Sequence, residues 1–255
     1  MSLIRMNFFS ETLNMMTGAS VILPLPKDGP AEDLPVLYLL HGLGDDHSSW
    51  IRKSSIERYA LEHGLAVVMP DAGLSFYQNM IHGEKYNDYI ALELPEIMSS
   101  YFPVSRDREK TFIAGCSMGG FGALKIGLAR PDNYSAIGCF SGANMEFRPE
   151  SKFMQTALQR AYDGEIDFSD ILMAANARAT AMGLYPVRIW HGWGDEDMLR
   201  TNAEKSKAFF EGIRSPMLDY EWEMLKGCHD WKLWDEMAEK FIRWLNLPEP
   251  KEKLY

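Results

Sequence analysis

The stretch TFIAGCSMGGFGAL, Thr111–Leu124, organises the predicted fold. It begins as a short apolar run with strand character, and from Gly119 apolar residues follow at helical spacing. Between the two lies Gly-Cys-Ser-Met-Gly, the G-x-S-x-G pattern of a nucleophile elbow in its strand-to-helix setting. An ordinary glycine-rich turn would also match so short a motif, but the flanking strand and helix favour the elbow. Ser117 is then expected on a strained turn, with glycines where side chains would collide with the packed strand and helix.

Around the elbow, apolar runs alternate with helical segments along the chain. Uninterrupted apolar runs are typical of strands that are buried on both faces of a parallel sheet. We therefore predict an α/β fold, a mostly parallel twisted sheet with helices on both faces. The predicted strands are Met6–Phe9, Ser20–Leu25, Pro35–Leu40, Leu65–Met69, Thr111–Ala114, Tyr134–Ser141, Pro186–Trp190 and Tyr220–Leu225, of which the first two form an antiparallel edge hairpin.

One helix and one connection depart from this alternation. Pro95 lies within a predicted helix over Asp88–Phe102, so a kink or a break is expected there. Residues 144–185 form a long connection between two predicted strands, with many Met, Phe and Leu side chains. These apolar residues need the sheet to pack against, so we predict a small cap-like insertion above the strand ends. Residues 1–255 are interpreted as a single domain.

Composition limits the partners that the protein can have. The net charge of −10 argues against nucleic acid and anionic membranes, since both attract clustered Lys and Arg. Three scattered cysteines are too few for a disulfide framework or a zinc site, and they fit a reducing compartment. With no long apolar segment in the sequence, a cytoplasmic protein acting on a small molecule is expected, and homo-oligomerisation is left open.

The chain order predicts the base that would activate Ser117. A serine hydroxyl needs a neighbouring base to take its proton and a third group to orient that base. In elbow folds these parts follow the order serine, acid, histidine. Four of the six histidines precede Ser117, and His191 lies at a strand end before the expected acid. His229, in the loop between the last strand and the last helix, is therefore the predicted base.

The acid is less well determined by the residues alone. Three consecutive carboxylates follow the strand that ends at Trp190: Asp195, Glu196 and Asp197. At most one of them can pair with Nδ1 of His229, and chain order does not separate them. Gly194 predicts a tight turn that leaves Asp195 in solvent, whereas Met198-Leu199 are expected to draw Asp197 onto the core. The two remaining carboxylates are expected to lie in a solvated loop or to cap the next helix.

Two backbone N–H groups are predicted to form an oxyanion hole. One belongs to Met118, the residue after Ser117, and the other comes from the loop after the strand Pro35–Leu40. Within Gly42-Leu43-Gly44 we assign the second donor to Leu43. His41 is interpreted as a structural hydrogen-bonding residue. The neighbouring cluster Asp45-Asp46-His47 lacks further ligands, so neither a metal nor a cofactor is predicted.

With these residues in place, the chain resembles the esterase D-like branch of α/β hydrolases. It is most similar to bacterial tributyrin esterases, with S-formylglutathione hydrolases and feruloyl esterases as relatives. The likeness runs from about Leu34 to Trp244, and its specific segments are LLHGLGDDHSSW, GEKYNDYIALELP, GCSMGGFGAL, GDEDML and GCHDWKLW. In that group the acid precedes a small or apolar residue and a leucine, which places the acid at Asp197.

The resemblance implies an α/β-hydrolase fold and a serine carboxylesterase that hydrolyses short-chain acyl esters without a cofactor. A thioesterase similar to S-formylglutathione hydrolase, or an acyltransferase, is the alternative. The compact Asp71–Tyr86 segment weakens the thioesterase alternative, because those hydrolases usually carry a longer glycine-rich loop there. A non-catalytic binding protein on the same fold is a third alternative, since fold does not imply function.

Overall fold

The strands form one mixed sheet. The computed structural model describes residues 1–24, 31–142, 149, 151–166, 168–180 and 185–248. Within these residues the strands are β1 Ser2–Ser10, β2 Met15–Leu23, β3 Val36–Leu40, β4 Ala66–Pro70, β5 Thr111–Cys116, β6 Ala136–Phe140, β7 Val187–Gly194 and β8 Leu218–Leu225. They are ordered β1-β2-β4-β3-β5-β6-β7-β8. β2 is antiparallel to both of its neighbours, and β3 to β8 are mutually parallel. The predicted mostly parallel sheet with an edge hairpin is confirmed.

The apolar runs form the centre of the sheet. Every residue of β3, β4, β5 and β6 is buried, because helices cover both faces of these strands. In β1, at the edge, half-buried and exposed residues alternate instead. The period of two in β1 therefore reflects one covered face, whereas the central strands need apolar side chains on both faces.

Helices pack against both faces of the sheet, as predicted. Their bounds are α1 Ser49–Lys53, α2 Ile56–Glu62, α3 Tyr86–Asp88, α4 Leu94–Tyr101, α5 Met118–Ala129, α6 Lys152–Tyr162, α7 Ser169–Thr180, α8 Arg200–Gly212 and α9 Trp231–Trp244. Residues of α4 and α5 belong to the hydrophobic cluster on one face, and residues of α2 and α9 to the cluster on the other. Within the part of the chain that is described, no helix is long and apolar enough to cross a membrane.

Pro95 is accommodated without a break in the helix. A single π-helical turn, Tyr89–Glu93, joins α3 to α4, and Pro95 lies in the first turn of α4. Proline has no N–H to donate to the carbonyl four residues earlier, which here belongs to Ala91. Arg130 Nη1 donates to that carbonyl instead, at 3.3 Å. The expected disturbance is therefore present as a local change of helix type.

The insertion between β6 and β7 packs on α5. Its described part contains α6 and α7, while residues 144–148 and 181–184 lie outside the described residues, as does Leu25, the predicted end of the second strand. Phe121 of α5 makes edge-to-face contacts with Tyr162 and Phe168, at ring-centroid distances of 6.4 and 5.9 Å. These contacts bury the apolar side of the insertion against the main body of the fold.

Candidate active site

Ser117 occupies the strained turn between β5 and α5. Its backbone has φ 54° and ψ −116°, a conformation that side chains other than glycine rarely adopt. The N–H of Ser117 donates to the carbonyl of Phe140, at the end of β6, with a distance of 2.8 Å. The turn is thus fixed by the neighbouring strand.

Two glycines let the backbones around Ser117 touch. A Cβ placed on Gly119 would lie 2.5 Å from the carbonyl oxygen of Leu40. A Cβ on Gly115 would lie 2.6 Å from the backbone of Gly119. Real Cβ atoms do not approach other atoms so closely, so the motif glycines are required for the close contact of β3, β5 and α5. This is the steric role that the sequence motif predicts.

Ser117, His229 and Asp197 form a continuous hydrogen-bonded chain. Nε2 of His229 lies 2.9 Å from Oγ of Ser117, and Nδ1 lies 2.9 Å from Oδ1 of Asp197. Because the ionised carboxylate only accepts, the proton of a neutral His229 is on Nδ1 and Nε2 is free to accept from Ser117. The ring of Trp234 packs edge-to-face on the imidazole at 5.0 Å.

The Asp197 side chain is completely buried, whereas that of His229 is 15% exposed. Burial raises the pKa of the Asp197 carboxyl, but hydrogen bonds from His229 and from the N–H of Leu199 outweigh this effect, and the pKa lies below its ordinary value. The Ser141 hydroxyl also lowers the pKa of the Asp197 carboxyl. Asp197 is therefore ionised beside His229.

The structure separates the three consecutive carboxylates, and two local expectations about them are wrong. Asp195 is not free in solvent, because its Oδ1 accepts the N–H of Gly227 at 3.0 Å. Met198 does not draw the loop inward either, since it is 64% exposed. Asp197 is instead held by its own loop: its N–H donates to Gly194, and its Oδ1 accepts the N–H of Leu199 at 2.8 Å.

The two N–H groups predicted to form an oxyanion hole have no acceptor within the described part of the structure. Met118 is the first residue of α5, so its N–H has no acceptor within the helix. The N–H of Leu43, in the loop after β3, likewise has no hydrogen-bond acceptor among the residues that the structure describes. Gly44, with φ 84°, shapes this loop. Both donors are available to a negatively charged oxygen.

His41 fixes the loop that carries Leu43. Its Nε2 accepts the N–H of Ala72 at 3.0 Å, so Nδ1 carries the proton and donates to the carbonyl of Gly42 at 2.8 Å. Burial lowers the pKa of His41, which keeps the ring neutral. The hydroxyl of Tyr77 donates to the carbonyl of His41 at 2.9 Å. The structural role predicted for His41 agrees with these bonds.

The acidic cluster next to this loop is satisfied by protein groups. Asp45 Oδ1 accepts hydrogen bonds from Lys53 Nζ at 2.6 Å and Ser49 Oγ at 3.0 Å. Nδ1 of His47 lies 2.7 Å from Oγ of Ser20. No group of three metal-ligating side chains with the geometry of a site occurs in the described ranges.

Phe153 belongs to the predicted cap-like insertion, but the sequence did not indicate which residue it would contact. Its ring is 52% exposed at the start of α6, and its Cζ lies 3.7 Å from the position that a Cβ on Gly44 would take. Gly44 follows Leu43 directly, so an apolar ring of the insertion stands beside the predicted oxyanion donor. No spacing or motif connects these two segments, and only the packing of the insertion brings them together.

The chain is similar to known esterases and serine hydrolases. The family model described as "Putative esterase" matches residues 10–243. An acetyl esterase of Caldicellulosiruptor saccharolyticus is 29% identical over 266 residues, which cover 96% of this chain and 98% of that protein.

Solved structures of two Staphylococcus aureus proteins are also similar, each covering 96% of this chain and 98% of its own. The fluorophosphonate-binding serine hydrolase F, with bound substrate, is 32% identical with a TM-score of 0.81. The S-formylglutathione hydrolase, as apoenzyme, is 31% identical with a TM-score of 0.80. A ferulic acid esterase, 22% identical with a TM-score of 0.76, shares the fold.

The α/β-hydrolase fold and these relatives define the class of the protein, a serine hydrolase that acts on carboxylic ester bonds. Within that class, the chain belongs to the esterase family whose model spans residues 10–243. The predicted resemblance to this branch of the α/β hydrolases is thereby confirmed. The catalytic roles of individual residues and the length of the acyl chain remain predictions.

Proposed function

We propose that this protein is a carboxylesterase for short-chain acyl esters, with Ser117 as nucleophile, His229 as base and Asp197 as the orienting acid. The observation that carries the proposal is the hydrogen-bonded chain from Oγ of Ser117 through His229 to Oδ1 of Asp197, with both distances 2.9 Å. The ionised, buried carboxylate holds the imidazole in the tautomer that can accept the serine proton.

The proposed reaction has two halves. Oγ of Ser117 attacks the carbonyl carbon of the ester while Nε2 of His229 takes the hydroxyl proton. The bond to the alcohol oxygen then breaks, and that oxygen leaves with the proton from Nε2. In the second half a water gives its proton to Nε2 and attacks the acyl carbon, and Oγ of Ser117 recovers the proton as the carboxylic acid is released.

The tetrahedral intermediate of each half places a negative charge on the former carbonyl oxygen. We assign its stabilisation to the N–H groups of Leu43 and Met118, which lack other acceptors within the described residues. Fixed donors of this kind contribute on the order of 3 kcal/mol each to the transition state. The hydrogen bonds of His41 to Gly42 and Ala72 keep the Leu43 donor in place.

The preference for short acyl chains rests on the insertion and on one relative. Residues 144–185 are proposed to act as a cap within a single domain, with Phe153 beside Gly44 as part of an apolar wall. A pocket of limited depth gains about 0.8 kcal/mol for each methylene that fits and clashes with the next. The similarity to an acetyl esterase supports a small acyl group.

Labelling and an acyl series test the proposal. A fluorophosphonate should modify the protein stoichiometrically at Ser117 and should not modify Ser117→Ala. With p-nitrophenyl esters, kcat/KM should be highest between acetyl and butyryl. Phe153→Ala should move the optimum to longer chains, whereas Phe9→Ala, a similarly exposed phenylalanine on the edge strand β1, should not. A rise of kcat/KM out to palmitoyl would show that the pocket is an open groove.

A thioesterase acting on S-formylglutathione is the second candidate, and the similarity to a hydrolase of that name favours it. The same three side chains would serve, since only the leaving group differs. The ratio of kcat/KM for p-nitrophenyl acetate to that for S-formylglutathione separates the two. We expect a ratio above one, and a ratio far below one would favour the thioesterase.

We further propose a cytoplasmic protein that needs no cofactor and binds neither nucleic acid nor membranes. The three cysteines support this location, because all of them are free thiols in the structure and Cys228 is exposed. The excess of acidic side chains supports the absence of polyanionic partners. A full-length sample should elute at the same volume with and without duplex DNA.

A further inference from the structure

The loops that carry Asp197 and His229 stay joined beyond the end of the sheet. Strands β7 and β8 pair as far as Gly194 and Leu225. After that, the N–H of Asp195 donates to the carbonyl of Leu225 at 2.8 Å, and the N–H of Glu196 donates to the carbonyl of Gly227 at 3.1 Å. The carboxylate of Asp195 adds a bond in the opposite direction, because Oδ1 accepts the N–H of Gly227 at 3.0 Å.

Gly227 depends on this carboxylate. Its φ of +152° belongs to the region that glycine tolerates, and a Cβ on Gly194 would lie only 2.1 Å from its carbonyl oxygen. The two backbones are therefore in contact. The N–H of Gly227 has no acceptor other than Asp195 among the described residues. Without that side chain, an N–H at a crowded contact would lose its partner.

We propose that Asp195 is a positioning residue of the active site, which fixes Gly227 and through it the orientation of His229. The proposal rests on the proposed function. Asp195 precedes Asp197 by two residues, and Gly227 precedes His229 by two, so two bonds of the same direction join the same pair of loops. The first holds the backbone of the histidine loop, and the second holds the imidazole ring.

The hydrogen-bond acceptor matters in this arrangement, and the negative charge does not. Asp195→Asn keeps an oxygen at Oδ1 and loses the charge, whereas Asp195→Glu keeps the charge and moves the acceptor by one methylene. Asp195→Ala removes both. We expect Asp195→Asn to stay within about threefold of wild-type kcat, since an amide oxygen accepts the same bond. The Ala and Glu variants should lose roughly ten- to a hundredfold in kcat with KM little changed, because small displacements of a catalytic group have effects of that order.

Two controls separate positioning from a general loss of structure. Glu196→Ala removes the adjacent carboxylate, which is exposed and, within the described residues, accepts a side-chain hydrogen bond only from the Cys228 thiol at 3.5 Å, so this variant should leave kcat unchanged. The low-field proton resonance of the His229 Nδ1–H, recorded well below the unfolding temperature, reports the bond to Asp197 without any turnover. It should persist in wild type, Asp195→Asn and Glu196→Ala, and broaden in Asp195→Ala.

The outcomes are distinct. Wild-type kcat together with an intact resonance in Asp195→Ala would overturn the proposal, as would an Asn variant damaged as severely as the Ala variant. If Asp195→Ala does not fold, the other two variants still test the proposal: a role for the acceptor predicts a higher kcat for Asp195→Asn than for Asp195→Glu, and a role for the charge predicts the reverse. A wild-type protein that neither cleaves esters nor takes a fluorophosphonate label would refute the proposed function, and the resonance would still test the positioning role.

Discussion

The elbow and the two loops that carry Asp197 and His229 both hold side chains of the candidate active site in place, but they do so by different means. Ser117 is held in its strained turn by glycines within two positions of it and by the strand ends that touch them. Asp197 and His229, 32 residues apart, are held by bonds between two loops, in which a neighbouring carboxylate takes part. The first geometry is encoded by a short motif, and the second by the register of β7 on β8.

This difference predicts how each region responds to substitution. A change at the glycines of the elbow acts on the backbone and should damage the fold and the reaction together. A change in the loops replaces one bond among several and should reduce turnover while the protein stays folded. Three experiments, taken in order of decreasing effect, examine this contrast, and a fourth, with the smallest effect, concerns a buried histidine outside both regions.

Removal of the nucleophile should have the largest effect. Ser117→Ala is expected to lower kcat by about 10⁴ or more, because the residual rate then depends on binding and oxyanion donors alone. The free energy of unfolding should not fall, since alanine fits the space of serine. Steady-state kinetics on p-nitrophenyl acetate and a thermal melt provide the measurements. Wild-type turnover, or an acyl label on Ser141, would refute the assignment.

Substitution of Asp197, the proposed acid, should have the second largest effect. Asp197→Asn is expected to reduce kcat by roughly 10² to 10⁴, because the amide favours the wrong imidazole tautomer. Asp195→Asn and Glu196→Gln should remain within a small factor of wild type. A strongly reduced kcat in Asp195→Asn, together with a nearly wild-type kcat in Asp197→Asn, would mean that the acid is Asp195 and that our assignment is wrong by two residues.

Substitution at the elbow should then cost stability. Gly119→Ala places a Cβ 2.5 Å from the Leu40 carbonyl oxygen, and the required backbone shift should cost about 3 kcal/mol or more of unfolding free energy. Gly212→Ala is the matched control, because a Cβ there meets nothing within 4 Å at the end of α8. Chemical denaturation of both variants gives the comparison. Equal stabilities would show that the elbow is less tightly packed than the distances indicate.

The smallest effect concerns His191, a histidine in β7 that contacts neither Ser117 nor Asp197. Burial lowers its pKa to about 3, so the folded protein keeps the ring neutral while the unfolded chain takes up a proton near pH 6.5. The stability contributed by the neutral ring is complete above pH 6.5 and is lost as the pH falls toward 3, at up to about 1.4 kcal/mol per pH unit. His191→Gln should therefore show a shallower loss of unfolding free energy between pH 7 and 5. An identical slope would contradict this.

The sequence predicts those parts of the site that local patterns or chain order determine. The elbow motif identifies Ser117, and the order of elements leaves His229 as the histidine that the structure brings to it. The central strands are predictable because burial on both faces requires continuous apolar runs. At Pro95 the sequence predicts only a kink or a break, because a local pattern shows neither the π-helical turn nor Arg130, the donor to the Ala91 carbonyl that lies 39 residues away.

The conformation of the acid loop could not be predicted from its own residues. Met198 looks like an anchor in the sequence, yet it is exposed, and Asp195 looks like a solvated turn residue, yet it binds Gly227. The family resemblance still identified the carboxylate that the structure pairs with His229. The side chain of Asp195 binds Gly227, which lies 32 residues further along the chain, and Asp197 is held by the backbone conformation of its own loop. Neither the distant partner nor that backbone conformation can be derived from the loop sequence alone.

The separation of the three side chains along the chain also governs when the site can come into existence. Ser117 and His229 are 112 residues apart, and three parallel strand pairings, β5 to β6, β6 to β7 and β7 to β8, must form before they meet. Such non-local pairings are slow steps in folding. During synthesis, a nascent chain that has already formed the elbow still lacks His229, the proposed base, so hydrolytic competence should arise only after β8 has docked. The return of esterase activity on refolding would accordingly time the closure of that last edge of the sheet.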